Sequence, residues 1–113
     1  MVRPAPSRSD LSLFARRLRS AREVIGISQA EFGRRAGIDE YCASARINQY
    51  ERGKHTPDFH TASHLARVLG VPVAYFYAED ELLADLLKAF EKMQDAEREA
   101  LLSFAQSLVT KDD

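Results

Sequence analysis

The segment GIDEYCASARINQYERGKHTP, residues 37–57, holds the side chains with the most chemical promise. Asp39 and Glu40 stand at its front, Arg46 near its middle, and Arg52, Lys54 and His55 flank Gly53 in a basic tip. Just beyond it, His60 and His64 have the i, i+4 spacing of helical metal ligands, with His55 as a third candidate. No adjacent carboxylate or thiolate completes such a set, so polar surface histidines are the simpler reading. Cys42 offers a redox switch, against the plainer reading of a small helix residue. Ser, His and Asp all occur, but there is no glycine-flanked nucleophile and no phosphate-cradling loop, so no catalytic residue, metal or cofactor is expected. What is left is a set of guanidinium, ammonium and amide donors, the chemistry of gripping anions.

The charge distribution points the same way. The chain of 113 residues has a formal net charge of −1. Residues 1–57 nevertheless carry a net +5 and residues 58–113 a net −6. A basic half and an acidic half suggest one end that faces a polyanion and another with a different task. With 45% apolar and 29% charged residues, the composition is that of a globular protein rather than a disordered one. The lone cysteine excludes an internal disulfide and fits a reducing compartment. MVRPAPSRSD, residues 1–10, lacks the apolar core of a signal peptide and reads as a flexible arm. The longest apolar run, VPVAYFYA at 71–78, is too short to span a bilayer, so a cytoplasmic location without membrane partner is expected. No pocket for a small molecule is legible.

The elements that must position these residues follow from periodicity. Phe14, Leu18, Ala21 and Ile25 make residues 11–25 an amphipathic helix, with Arg16, Arg17 and Arg19 on its other face and Gly26 at its end. SQAE at 28–31 is a capping box that starts a short second helix, closed by Gly37. Ala43, Ile47 and Tyr50 mark a third helix ending at Gly53. Asp58 caps a fourth, whose inner face is Phe59, Ala62, Leu65, Ala66 and Leu69. PVAYFY reads as one helical turn with its aromatics inward. Leu82, Leu83, Leu86, Leu87, Phe90 and Met93 form one further stripe, and Leu101, Phe104, Ala105 and Leu108 another, after a break at Gln94-Asp95. The expectation is an all-α chain: an arm at 1–10, a five-helix domain at 11–78 and a C-terminal helical hairpin at 79–113.

Two short helices joined by a turn and flanked by arginines have the layout of a helix-turn-helix. Four blocks sharpen this: R-L-R-S-A-R-x-x-x-G-x-S-Q-A-E-F-G, then Q-Y-E-R-G-K-x-x-P, and finally L-A-R-V-L-G followed by V-P-V. In this order they resemble the phage repressor/Cro (XRE) family of bacterial regulators, from about Leu13 to Tyr77. The resemblance implies a sequence-specific regulator that binds double-stranded DNA, with Gln29 on a phosphate at the helix N-terminus. It implies an ion pair of Arg22 with Glu51, and backbone contacts from Arg52, Lys54, His55, Arg16 or Arg19 at a tip where glycine lets N–H groups approach phosphate. Its base-reading positions fall on Ser44, Ala45, Arg46 and Gln49, with Asn48 alongside. Arg46 suits guanine O6 and N7, Gln49 suits adenine, and the Ala45 methyl suits thymine.

The chain departs from that family between Gly37 and Ile47, which lie ten residue steps apart, more than is usual there. Asp39 and Glu40 favour a helix N-terminus but are repelled by phosphates. IDEYC is therefore expected to lengthen the turn or to add a helical turn leaning away from the groove; the sharper alternative has Glu40 reading a cytosine amine. The acidic face of the C-terminal segment (Glu79, Asp80, Glu81, Asp85, Glu91, Glu97, Glu99) should point away from DNA. Its Leu86, Phe90, Met93, Leu101, Phe104 and Leu108 exceed what a small hairpin can hide, which suggests a homodimer. Folding back on its own domain is the alternative. Two other functions stay open: an antitoxin whose acidic hairpin holds a basic protein partner, and an interaction adaptor that has lost DNA binding.

Overall fold

The computed structural model describes residues 12–110; the N-terminal arm expected at 1–10 lies outside them. The order of elements is α1 (Leu13–Ile25), α2 (Gln29–Arg35), α3 (Ala43–Glu51), α4 (Phe59–Leu69), a 3-10 turn (Val73–Tyr77), α5 (Glu81–Glu91) and α6 (Asp95–Thr110). No strand occurs among the described residues. Side-chain oxygens of Ser12, Ser28, Asp58 and Asp80 accept the otherwise unpaired amides at the starts of α1, α2, α4 and α5. The Thr61 amide also draws the Asp58 carboxyl below the usual carboxylate range. The expected capping box is only half made. Ser28 Oγ accepts from Glu31 N at 3.0 Å, but the Glu31 carboxylate turns to Arg34 and Arg35 on its own helix.

Phe32, Phe76, Leu18, Ile47 and Leu65 are the largest fully buried side chains, so α1, α2, α3, α4 and the 3-10 turn share one core. Phe14 meets the ring of Phe76 at 4.9 Å and that of Tyr77 at 5.6 Å, which seats the 3-10 turn against α1. Three sequence expectations about faces fail. Phe59 is 71% exposed, because as the first residue of α4 it precedes the turn that packs inward. Ile25, the last residue of α1, is also exposed. Arg17 is 8% exposed rather than on the outer face.

The C-terminal segment differs most from its expected form. α5 buries Ala84 and lays Leu87 against the core, but Leu82, Leu83 and Leu86 remain exposed. α6 has no fully buried residue and lies along no other element, so the two helices do not pack face to face as a hairpin, and of the segment only α5 packs on the domain. The bend between them is held by Arg98, whose Nε and Nη2 donate to the carbonyls of Phe90 and Glu91 while its guanidinium stacks on the Phe90 ring.

Gly33, in the middle of α2, faces α3 at its closest approach. A Cβ there would stand 2.8 Å from Ala43 Cβ and 3.0 Å from the Ala43 backbone. Gly33→Ala should therefore force the helices apart and lower stability by about 1–3 kcal/mol in urea unfolding. An unchanged unfolding midpoint would mean that the crossing is loose.

Candidate nucleic-acid interface

The helix-turn-helix is α2, the turn at 36–42 and α3. Ile38 anchors the turn on the core. The Ile38 N–H donates to Gly33 O at 2.9 Å, Asp39 Oδ1 accepts from Tyr41 N at 2.9 Å, and Cys42 N donates to Asp39 O at 2.9 Å. The extra residues thus form a hydrogen-bonded turn, the first of the two dispositions expected of IDEYC. Asp39 spends one carboxylate oxygen on that turn, as Asp side chains commonly do. Glu40 is exposed, and Tyr41 is 98% exposed.

α3 is split lengthwise. Ala43, Ile47, Tyr50 and Glu51 are buried, whereas Ser44, Ala45 and Arg46 are exposed, and Asn48 and Gln49 half-buried. Burial of Ile47 and its helical neighbours places the five residues singled out for base reading on or beside the outer face. Arg46 and Gln49 also line an open polar groove with His55, Thr56 and Thr61. After α3 the chain turns through Gly53 at φ 73°, which a residue with a side chain adopts only with strain. The amides there are not free for phosphate, contrary to expectation. Gly53 N donates to Tyr50 O, and Lys54 N and His55 N to Gln49 O, so this glycine serves to end α3.

Behind that face lies a buried network. Arg22 Nε meets Glu51 Oε2 at 2.6 Å, and Arg22 Nη2 meets Oε1 at 3.0 Å. Arg22 Nη1 donates to Ile27 O at 2.9 Å. Gln29 Nε2 donates to Glu51 Oε1 at 3.1 Å, so the side chain expected on a phosphate also serves the ion pair. Glu51 is 2% exposed and receives donors from two other helices. Its hydrogen bonds raise the Arg22 pKa against the opposing effect of burial, so the guanidinium stays charged.

The cations divide into paired and unpaired. Arg19 bonds Glu23 at 2.8 Å, and Glu31 takes both Arg34 and Arg35 at 2.7 Å, which holds its carboxyl below the usual range. Among the described residues, Arg46, Arg52 and Lys54 have no acidic partner. Arg16 is exposed on α1. The rings of His60 and His64 lie tilted against each other with centroids 4.4 Å apart, and His64 Nδ1 lies 3.4 Å from Ala36 O. Two positions escaped the sequence reading, Gly33 and Arg17. A mid-helix glycine was the available signal for the first, since it costs about 1 kcal/mol against alanine and needs a packing reason. For Arg17 the signal was spacing, three residues after Phe14 and four before Ala21, on the buried stripe.

Removing one partner of a buried ion pair strands the other charge. Glu51→Ala and Arg22→Met should each lower stability by about 3–5 kcal/mol, and the double variant by clearly less than the sum, in a urea double-mutant cycle. Additive costs would show that the two side chains act independently.

The chain matches a family model described as a helix-turn-helix domain over residues 13–75. It is 25% identical over 104 residues to the cryptic phage CTXphi transcriptional repressor RstR of Vibrio cholerae, covering 88% of this chain and 90% of that repressor. Among solved structures it is similar to the transcriptional regulator BswR, with a TM-score of 0.78 and 38% identity, covering 88% of this chain and 98% of that one. Both likenesses extend beyond residues 13–75.

Proposed function

Since the chain belongs to the helix-turn-helix family of transcriptional regulators, we propose that it recognises one double-stranded DNA sequence through α3 and represses transcription there as a homodimer. The observation that carries the reading is the outer face of α3. It presents Ser44, Ala45, Arg46, Asn48 and Gln49 on a helix clamped from behind by the Arg22–Glu51–Gln29 network. The Arg46 fork matches guanine O6 and N7, the Gln49 amide matches adenine N6 and N7, and the Ala45 methyl suits thymine. Arg52, Lys54 and His55 in the turn after α3, with Arg16 and Arg19 on α1, supply phosphate contacts. Gln29 joins them through its second amide hydrogen, which the bond to Glu51 leaves over.

The repressor role is supported by the likeness to a phage repressor and by the absence of any legible catalytic centre from the sequence. Dimerisation would draw on Leu86, Phe90, Met93, Leu101, Phe104 and Leu108, since Leu86, Phe104 and Leu108 are exposed large apolar residues on helices that cover little themselves. A two-fold dimer sets two copies of α3 about 34–36 Å apart, facing a palindromic operator. The acidic C-terminal arm, residues 79–113, is repelled by DNA and lies on the side away from it. The same exposed apolar residues also favour a second reading, an antitoxin whose arm holds a basic protein; a small basic protein co-purifying in fixed ratio would mark it. No helix among the described residues is long and apolar enough to cross a membrane, in keeping with action on DNA in the cytoplasm.

Selection from a random duplex library at two salt concentrations tests the proposal. A palindrome whose enrichment falls with salt is expected; binding without an enriched sequence would defeat it. Arg46→Ala should cost about 1–3 kcal/mol and relax preference at one base pair of each half-site. Equal weakening on every sequence would remove Arg46 from base reading. Lys54→Ala should weaken all sequences alike and shallow the slope of log affinity against log salt by about one per half-site, as titrations at several salt concentrations would show.

A further inference from the structure

Arg17 belongs to the DNA-binding domain, yet its bonds lie at the base of the C-terminal arm. Its Nε and Nη2 both donate to the carbonyl of Ala78, at 3.2 and 2.7 Å, where the 3-10 turn ends. Its Nη1 donates to Glu81 Oε2 at 3.0 Å, on the first residue of α5. The guanidinium carbon sits 5.5 Å from the centre of the Tyr75 ring, and Lys88 of α5 lies 5.8 Å from that same ring. One planar, rigid donor fork therefore joins α1 to the last residue of the domain and the first residue of α5.

Beside that grip, the arm is held to the domain by α5 alone, whose Leu87 lies against the core and whose Lys88 lies over Tyr75. α5 packs chiefly on the 3-10 turn, burying Ala84, and α6 lies along no other element. The segment between them and the domain is short, with Glu79 and Asp80 exposed. A buried arginine without partners would be strongly unfavourable, so the Ala78 carbonyl and Glu81 are held in place by the charge they satisfy. Exposed Glu81, at 76%, would contribute little as an isolated surface pair. Its bond lands on a guanidinium already fixed by two others, which gives it a direction.

We propose that Arg17 is a positioning residue: by gripping the Ala78 carbonyl and Glu81 together, it fixes the angle at which the arm leaves the domain and thereby the operator spacing the dimer accepts. The inference rests on the dimeric reading above. One base pair shifts a half-site by about 3.4 Å along the duplex and rotates it by roughly a tenth of a turn. A change in arm angle is therefore read directly as a change in spacing.

The test presents the full chain with a library in which the selected half-site is repeated at every spacing over one helical turn. Three variants are compared with the unaltered protein. Arg17→Met keeps the apolar stem and loses all three bonds, Arg17→Lys keeps the charge without the fork, and Glu81→Ala spares the core. The unaltered protein is expected to choose one spacing. Arg17→Met and Glu81→Ala should keep the half-site sequence, while discrimination against neighbouring spacings falls roughly tenfold, the equivalent of one charged hydrogen bond. Arg17→Lys should not restore it. Unchanged spacing in the folded Glu81→Ala and Arg17→Lys variants would overturn the proposal, as would an altered half-site at the same spacing. If the unaltered protein selects a lone half-site, the dimeric reading falls, and with it the role of Arg17 in spacing. The arm angle is then read alone, by spin labels at Ala30→Cys and Ala100→Cys in a Cys42→Ser background. A distance distribution that Glu81→Ala broadens upholds the grip, and an unchanged one overturns it.

Discussion

A carboxylate at the centre of a small helical protein must find donors or become neutral, and Glu51 finds three. They come from Arg22 on α1 and Gln29 on α2, while Arg22 also closes the connection between those helices through Ile27 O. That constraint fixes the roll of α3 about its own axis. With Glu51, Ile47 and Ala43 turned inward, the helical repeat leaves Ser44, Ala45 and Arg46 no place but the surface. The interface is thus the reverse side of an electrostatic clamp, and Gly33 lets α2 approach α3 closely enough for the clamp to close.

The same logic explains how a protein of nearly neutral charge can offer a cationic face. Three of the four acids on the helix-turn-helix are occupied: Glu51 in the core, Glu31 with two arginines of its own helix, Asp39 in the turn it folds, while Glu40 stays exposed. Among the described residues of the helix-turn-helix and the turn that follows it, the cations without an acidic partner are Arg46, Arg52 and Lys54. Most remaining acids lie on the arm, beyond the 3-10 turn. Local pairing, more than net charge, decides where an anion is attracted.

The arm has a different physics. α5 and α6 carry apolar stripes, but their surroundings bury only Ala84 fully and leave Leu87, Phe90, Met93 and Leu101 half-buried. An apolar stripe at helical spacing specifies that a face is to be covered, not by what. Arg17 shows how the two parts are joined: a charged side chain drawn inward by one carbonyl and one carboxylate at the junction.

Element order, the caps at Ser28 and Asp58, and the glycine stops were legible in the sequence, because caps and helical periodicity act within a few residues. So was the all-α class. The extra length between Gly37 and Ile47 could be read by counting, while the choice between a turn and an added helical turn fell to the hydrogen bonds of Asp39. Tertiary structure alone decided what depends on distant neighbours. It drew Arg17 inward, because the Ala78 carbonyl sits 61 residues away in sequence, and it exposed Phe59 while burying Ala62 of the same turn of α4. It also closed the amides after Gly53 onto Gln49 and opened the expected hairpin, since no local signal says whether two apolar stripes will choose each other. Local spacing set which faces exist; long-range hydrogen bonding and packing decided which of them meet.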